Sequence, residues 1–277
     1  MKFLTDIFKA KPIIEETIKT YGHAPEHNFY WYQYSKKPKE ENVFVQFPDG
    51  TGLLTVEYKA KGIMYLFSTP LAPPEKRVSV LLAYLDFMLA KSEIQRVEVE
   101  LESAARRELL HALPSYLRSR SIIATMISPV MDLMAFDPSL PGAHFKSLRN
   151  ARNKFYREHA IQLVDARTCR KEELRSVVDA WRLQRHSRDR AEREQYYRLI
   201  EANFQGMLTG TALKADGKVL GFNAGWPIPN SKRFYGAIGI HDYSLPDLGL
   251  MLYLEDLILM KKTGFAKQIW EGVGRNC

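Results

Sequence analysis

The same order of predicted elements occurs in both halves of this 277-residue chain. In each half, three strand-like segments are followed by a helix that begins near a proline, and then by one more strand. Because no residue-level repeat accompanies this order, the similarity is one of architecture. The sequence therefore predicts a mixed α/β fold of two similar lobes, each with a largely antiparallel sheet. The predicted strand groups are 43–47, 53–58 and 63–67 in the first half, and 207–215, 219–226 and 233–240 in the second.

A short segment rich in proline separates the two halves. Residues 137–142 read DPSLPG, and two prolines and a glycine within six residues stop regular secondary structure. The sequence therefore predicts an N-terminal lobe over residues 1–137 and a C-terminal lobe over residues 138–277. A helix over 2–20 is expected to open the first lobe, and a long apolar strand over 122–136 is expected to close it.

The composition excludes a disordered chain, a collagen-like fibre and a scaffold held by disulfides. Hydrophobic residues make up 45% of the chain and charged residues 26%, which is ordinary for a globular protein. The two cysteines, Cys169 and Cys277, show no metal-ligand spacing, so no metal site is predicted. The most apolar stretch, 248–260, is shorter than the about 20 residues of a spanning helix. Glu255 and Asp256 interrupt it and are expected on the exposed side of a helix. Without a transmembrane segment or signal peptide, the expected location is cytoplasmic.

The positive charge is concentrated in one part of the chain. The formal net charge is +8, and the segment 144–198 alone holds 15 Lys or Arg against 8 Asp or Glu. Such a concentration favours a polyanionic partner: tRNA or another nucleic acid, the anionic surface of a membrane in peripheral contact, or a phosphate-bearing substrate. A solvated basic surface without a partner is the alternative that composition leaves open.

A predicted helix over 143–158 carries part of this charge on one face. At 100° per residue, five polar side chains fall within about 100° of arc. Leu148, Ala151 and Phe155 lie on the opposite face and are expected to be core. The stripe could follow the phosphates of a nucleic acid, or it could be incidental charge on an exposed helix. The five residues of the stripe are Lys146, Arg149, Asn150, Asn153 and Arg157.

Several segments resemble one group of acyltransferases. They are FKSLRNARNKFYR at 145–157, Trp181 in the following helix, GIHDYSLPDLG at 239–249, IWEGVG at 269–274, and the aromatic run at 28–34. This order and these segments resemble the C-terminal domain of phosphatidylglycerol lysyltransferases and the FemABX-type aminoacyl transferases. Both belong to the GNAT-like superfamily. The resemblance covers most of the chain and implies two GNAT-like lobes in tandem, with the C-terminal lobe catalytic.

Three departures from the family pattern affect what the resemblance implies. Acyl-CoA-dependent GNAT enzymes carry a Gly-rich loop whose backbone N–H groups hold a pyrophosphate. Residues 244–249 read SLPDLG, with one glycine, an acidic residue and a proline that lacks the N–H donor. This argues against CoA. The strand 234–240 lacks the Asp and Arg that the lysyltransferases tend to place there, and the sequence ends at Cys277. The missing strand residues put phosphatidylglycerol as the acceptor in doubt.

Three side chains near the expected cleft are candidates for catalysis. Asp242 follows the third strand of the C-terminal lobe and could orient or deprotonate an acceptor. His241 could do the same with a better matched pKa. Glu271 ends the last strand and could bind the amino group of the donor. For Asp242 and His241 the alternative is ordinary turn chemistry, and for Glu271 it is a charge at a strand end.

Two residues of the middle strand are candidates for substrate binding. Asn223 and Trp226 lie in the segment GFNAGW, where small neighbours leave room for a pocket. Alternation along a strand places the two side chains on opposite faces. Asn223 could equally be solvated or satisfy a neighbour. The aromatic run at 28–34 could stack bases, but core packing is the expected role.

The resemblance implies an acyltransferase that moves an aminoacyl group from aminoacyl-tRNA to an amine or hydroxyl of a lipid headgroup, peptide or small molecule. No cofactor and no metal are expected, and aminoacyl-tRNA is the expected donor. Two alternatives remain: an acyl-CoA-dependent N-acyltransferase, and a non-catalytic protein that binds RNA or anionic lipid.

Overall fold

A computed structural model of the chain describes residues 1–185 and 192–270, and the backbone of 273–276. The chain forms two compact units, each with its own sheet. Of the described residues, the first contains Met1–Thr125, the loop Ile228–Ser231, and Arg275 and Asn276; the second contains Met126–Pro227 and Lys232–Gly274. The chain thus passes into the second unit twelve residues before the division predicted at 137.

The first unit is a five-stranded sheet in the order β1-β2-β3-β4-β5. All neighbouring strands are antiparallel except β4 and β5, which are parallel. Apolar side chains of β2, β3 and β4 pack against helix α3. The elements are β1 (Lys2–Leu4), α1 (Lys11–Tyr21), α2 (Phe29–Tyr34), β2 (Glu41–Gln46), β3 (Gly52–Tyr58), β4 (Ile63–Leu66), α3 (Arg77–Leu89), β5 (Arg96–Val99) and α4 (Ser103–Ala112).

The prediction of one helix over residues 2–20 is wrong. Residues Lys2–Leu4 are a strand that pairs with β2, and the helix begins only at Lys11, where Pro12 occupies its first turn. Of the apolar residues that suggested a helix, Phe3 belongs to this long-range strand pairing, whereas Ile14 and Ile18 are buried in α1. Helix α2 contains the aromatic run, and Asn28 caps it by accepting a hydrogen bond from Trp31 N at 3.0 Å. Its aromatic side chains are core, as expected.

The second unit is a six-stranded sheet in the order β7-β12-β11-β10-β9-β8, in which only β11 and β12 are parallel. Helices α6 and α8 both pack on β10 and β11. Strands β6 and β13 form a separate two-stranded sheet. The elements of the chain from Ala124 onward are β6 (Ala124–Ile127), β7 (Val130–Asp132), α5 (Lys146–Glu158), β8 (Ile161–Asp165), α6 (Lys171–Gln184), α7 (Glu194–Glu201), β9 (Thr209–Ala215), β10 (Lys218–Pro227), β11 (Arg233–His241), α8 (Leu248–Lys262), β12 (Lys267–Trp270) and β13 (Val273–Asn276).

The predicted repeat of architecture is confirmed. In each unit, three antiparallel strands are followed by a helix and by a strand parallel to the third. The single long strand predicted over 122–136 is wrong, because Ser128 and Pro129 separate two short strands that belong to different sheets. Proline has no N–H for a strand ladder, which explains the break. No helix in the described part of the chain has both the length and the apolar character of a membrane span.

Candidate active site along helix α8

Strand β11 continues beyond the end of its parallel neighbour. The ladder between β11 and β12 runs from Arg233↔Lys267 to Gly236↔Trp270, whereas β11 continues to His241 beside β10. At its end, Asp242 N donates to Leu220 O at 2.8 Å, toward the β10 side. Backbone groups of an antiparallel strand alternate in direction, so those of Gly239 and His241 are directed to the side where β12 has ended. Among the residues that the structure describes, the sheet therefore opens along β11.

One face of helix α8 covers this opening. Gly249, Tyr253 and Asp256 are spaced i, i+4 and i+7 and lie on one side of the helix, and we call them the α8 stripe. A Cβ at Gly249 would lie 2.5 Å from Cε1 of His241, so the imidazole packs directly on the helix backbone. The hydroxyl of Tyr253 lies 3.0 Å from the position that a Cβ of Gly239 would occupy. The stripe therefore follows β11 from its end inward.

An open pocket of about 460 Å³ lies at the first turn of α8. Its walls are mostly apolar and aromatic, and it includes both the His241 ring and the Tyr253 ring. Asp247, in a left-handed conformation, precedes the helix and makes no capping hydrogen bond with its side chain. The pocket therefore offers an apolar surface beside the open end of β11. The remaining lining residues are Tyr243, Leu245, Pro246, Asp247, Leu248, Gly249 and Leu250.

Further along the stripe, a group of buried polar side chains lies between α8 and the sheet. Asp256 is only 5% exposed, and burial raises the pKa of its carboxyl to about 6 even though Gln268 Nε2 donates a hydrogen bond to it. Gln268 is fully buried, and within the described residues its Oε1 has no hydrogen-bond partner. Trp270 Nε1 likewise has no hydrogen-bond partner within the described residues. Since buried polar groups are normally paired, this group is unusual and marks a site of functional interest.

Aromatic rings join this buried group to the pocket. Trp270 packs edge-on against Tyr253, with ring centroids 5.2 Å apart. A Cβ at Gly236 would lie 2.8 Å from both the Trp270 ring and Gln268 Nε2, so only glycine fits there without displacing them. The pocket, the two rings and the Asp256–Gln268 pair are therefore continuous along α8.

The two predicted catalytic residues at the end of β11 differ in environment. Burial lowers the pKa of His241, although Asp242 opposes this shift, so the imidazole is neutral at pH 7. Asp242 Oδ1 accepts hydrogen bonds from Ser244 N at 2.8 Å and from Gln184 Nε2 at 3.1 Å. Burial opposes ionisation of Asp242, but these hydrogen bonds outweigh it and lower the pKa. Asp242 is thus an anion that holds a turn, and His241 has the protonation state that a base requires.

The other strand residues fall in different places. Asn223 is buried on the α8 side, where Nδ2 donates to Leu252 O at 2.8 Å, and its Oδ1 has no partner within the described residues. Trp226 is 1% exposed and packs edge-on against Tyr235 in the core. Glu271 lies outside the described residues. The structure therefore brings Asn223 to the site and gives Trp226 a packing role.

The predicted basic stripe divides into two parts. Lys146, Asn150, Asn153 and Arg157 are exposed on α5. Arg149 Nη1 instead donates to the carbonyl oxygens of Leu140 and of Gly142, the latter at 2.8 Å. It therefore holds the segment before the helix. The α5 core face is formed as expected, with Phe155 buried.

Sequence reasoning missed most of the α8 stripe. Asp256 was expected on the exposed side of its helix, and this is wrong: it is buried against Gln268, while Glu255 accepts a hydrogen bond from Tyr156 Oη at 2.6 Å. A usable signal was present, because a charge within a helix that is apolar on nearly all sides is normally buried. Tyr253 and Trp270 were not identified either.

Comparisons with known proteins agree with this architecture. Residues 39–235 match the family described as "Phosphatidylglycerol lysyltransferase, C-terminal". No curated protein sequence matches the chain. The structure is similar to L-PGS from Bacillus licheniformis, with 17% identity, a TM-score of 0.63, and coverage of 93% of this chain and 74% of that one.

Two further solved structures are similar over the whole length. FemX is 8% identical with a TM-score of 0.59, covering 100% of this chain and 90% of that one. A tandem GNAT protein from the clavulanic acid biosynthesis pathway is 10% identical with a TM-score of 0.53, covering 99% and 90%. The predicted fold, a mixed α/β arrangement of two GNAT-like lobes in tandem, is confirmed.

Proposed function

Because the chain belongs to the phosphatidylglycerol lysyltransferase C-terminal family and is an enzyme of the acyltransferase type, we propose that it transfers an aminoacyl group from aminoacyl-tRNA to an amine or hydroxyl acceptor. The observation that carries this proposal is the open end of β11. Backbone N–H groups directed away from β10 at Gly239 and His241 supply donors for an oxyanion, beside a pocket large enough for an aminoacyl group.

The proposed reaction is a direct transfer. The acceptor nitrogen or oxygen attacks the carbonyl carbon of the donor ester, and the oxyanion that forms is held by the backbone N–H groups. The bond between that carbon and the ribose oxygen of tRNA then breaks. The acceptor proton passes to His241 and from there to the leaving ribose oxygen, so protons balance. Holding both reactants at one strand end supplies the positional part of the rate enhancement.

His241 is the better proton acceptor of the two predicted residues. Its lowered pKa keeps the imidazole neutral, and its ring lines the pocket. Asp242 is engaged by Ser244 and Gln184, and we assign it to positioning of the turn.

The first turn of α8 supports tRNA over CoA as the donor. A pyrophosphate at a helix N-terminus needs free N–H groups and no adjacent negative charge. Here Pro246 lacks the N–H and Asp247 adds a carboxylate. The exposed Lys146 and Arg157 of α5 are suited to tRNA phosphates, together with the amides of Asn150 and Asn153.

Two carboxylates are proposed for the amino group of the donor. Glu271 keeps the role that its place at the strand end suggested. Asp256 is the second, because it is a buried carboxyl whose described hydrogen-bond donor is a single amide. Tyr253 and Trp270 would form the walls that the aminoacyl group passes.

The test is a transfer assay with one tRNA pool prepared in charged and stripped forms, with the amino acid radiolabelled. We expect the charged form to bind more tightly across a salt series, and the label to move to an amine or a lipid headgroup supplied as acceptor. Acetyl-CoA at the same concentration serves as the control donor. Saturable acetyl-CoA binding with acetyl transfer would instead support the acyl-CoA-dependent reading. Equal binding of both tRNA forms, without transfer, would support a binding protein.

A further inference from the structure

The side chain of Gln184, the last residue of α6, holds two successive residues of the turn that follows β11. Its Nε2 donates to Asp242 Oδ1 at 3.1 Å, and its Oε1 accepts from Tyr243 N at 2.7 Å. A carboxylate can only accept and a backbone N–H can only donate, so the amide fits in one orientation. Ser244 N donates to the same carboxylate oxygen at 2.8 Å. Three consecutive residues of the turn are therefore held together, two of them from a separate helix.

The turn carries a side chain that packs against His241. The rings of Tyr243 and His241 have centroids 4.5 Å apart and an angle of 60° between their planes. The imidazole also packs on the backbone of α8 at Gly249. Within the described residues, no hydrogen bond to a ring nitrogen orients the imidazole. Its orientation therefore depends on packing, and Tyr243 is the neighbour that a movement of the turn would displace.

The amide of Gln184 contributes little to the packing of its own helix. The residue is exposed, and an exposed hydrogen bond adds little to stability because water competes for both groups. Both ends of the amide are nevertheless committed to one turn, and that turn borders the pocket. Placement of the turn therefore explains the arrangement better than stability of the helix does. The buried face of α6 consists of Leu174, Val177, Val178 and Trp181.

We propose that Gln184 is a positioning residue for the transfer reaction, because it holds the turn against which the His241 imidazole packs. This role rests on the proposed function, in which His241 accepts the proton of the acceptor. Without the amide, Asp242 keeps its backbone hydrogen bond to β10, but Tyr243 N loses its acceptor. A base that leaves the line of proton transfer reacts more slowly even though the substrate still binds. Gln184 therefore acts on kcat through the turn, without touching the substrate.

The test compares Gln184→Met with Gln162→Met as the matched control. Methionine keeps the length of the side chain and removes both hydrogen-bonding groups. Gln162 is an exposed glutamine on β8 of the same unit. Two quantities are measured on the full chain: kcat and KM for transfer from charged tRNA, and the titration of the His241 imidazole by NMR without substrate. The resonance is assigned by its loss in His241→Ala, and urea unfolding establishes that each variant is folded.

We expect Gln184→Met to lower kcat about tenfold with KM changed less than about twofold, and Gln162→Met to change neither. Because the Tyr243 ring covers part of the imidazole, its displacement should raise the pKa of His241 toward the ordinary value of about 6.5. Gln184→Met combined with Tyr243→Ala should be no slower than Tyr243→Ala alone, since the amide acts through that ring.

An unshifted pKa of His241 in Gln184→Met would overturn the proposal. Effects of Gln184→Met and Tyr243→Ala on kcat that multiply would also overturn it, because the amide would then act elsewhere. If the wild type transferred nothing from charged tRNA, the proposed function would fail. The titration, which needs no substrate, would then decide by itself whether Gln184 fixes the imidazole.

Discussion

The two units share one topology but end their parallel strand pair differently. In the first unit, β4 has four residues and all of them pair with β5, from Ile63↔Arg96 to Leu66↔Val99. In the second unit, β11 has nine residues and only the first four pair with β12. A fully paired strand has no backbone donors to offer. Within the described part of the chain, the same sequence of elements therefore yields a fully paired strand in one unit and an open strand end in the other.

The helices that follow the third strand in each unit, α3 and α8, also differ at equivalent positions. Counted from the first residue of each helix, α3 has Val78 where α8 has Gly249, and Leu85 where α8 has Asp256. Leu85 is buried in the apolar core of the first unit. The first unit uses this interface for packing, whereas the second places a glycine and a carboxyl there.

The adjacent strand completes the comparison. The second residue of β5 is Val97, which packs against the same apolar core, and the second residue of β12 is Gln268. Each is paired across the ladder with an apolar residue, Met64 and Phe234 respectively. The hydrogen-bonded pair of Asp256 and Gln268 thus stands where the first unit has a leucine and a valine. Polar groups at such a position are costly to bury, so we attribute them to function.

The largest expected effect is on the proposed base. His241→Ala should lower kcat for aminoacyl transfer by about 10²- to 10³-fold, because the acceptor proton loses its acceptor. Asp242→Asn should change kcat by less than about threefold, since its amide still accepts from Ser244 N. Because His241 must be neutral and its pKa is lowered, the wild-type rate should fall only as the pH drops below that pKa. Single-turnover rates across a pH series measure the effect of each substitution and the pH dependence of the wild type. An unchanged rate in His241→Ala would show that this residue takes no part in the chemistry.

The next effect is on stability, and it tests the contrast between the two interfaces. Gln268→Val leaves the Asp256 carboxyl without its donor and should cost about 3 kcal/mol in urea unfolding. Asp256→Leu combined with Gln268→Val recreates the apolar pair of the first unit, and should restore stability to within about 1 kcal/mol of wild type. The double variant should also lose transfer activity. If the double variant is as unstable as the single one, the two interfaces are not comparable.

A somewhat smaller effect comes from the titration of Asp256. Its pKa is about 6 in the folded chain and about 4 in an unfolded one, so the unfolded state releases its proton first as the pH rises. This group therefore lowers the free energy of unfolding between pH 4 and pH 6, and its full cost is present at higher pH. Relative to wild type, Asp256→Asn should gain about 2 to 3 kcal/mol between pH 4 and pH 7. If the difference in the free energy of unfolding between Asp256→Asn and wild type did not change with pH, the pKa of Asp256 would not be raised in the folded chain.

The sequence predicted local features better than long-range ones. The turn at Asp216 and Gly217 joins β9 to β10, and its φ angles of +52° and +81° match the mirror-image turn that an Asp-Gly pair favours. Strand β1 was missed because its partner lies more than 35 residues away, in β2. The hydrogen-bonded pair of Asp256 and Gln268 was missed because the donor, Gln268, comes from the next element and not from the helix that carries Asp256. Spacing along one helix cannot report a partner that only the completed sheet supplies.

The smallest expected effect concerns the basic face of α5. Lys146→Ala and Arg157→Ala should each weaken tRNA binding a few-fold and reduce the salt dependence by about one phosphate contact. Arg107→Ala on α4 is the control, because it removes an exposed arginine from the first unit and should leave both quantities unchanged.

Arg149→Ala should behave differently from the other α5 variants. Its guanidinium holds the carbonyl oxygens of Leu140 and Gly142, so its loss should lower the free energy of unfolding by about 1 to 2 kcal/mol. The salt dependence of binding should change little, because this group is already engaged within the chain. Fluorescence titrations of tRNA against salt, with unfolding curves of the same variants, separate the two roles. If Arg107→Ala weakened binding as much as Lys146→Ala, the polyanion surface could not be assigned to the second unit alone.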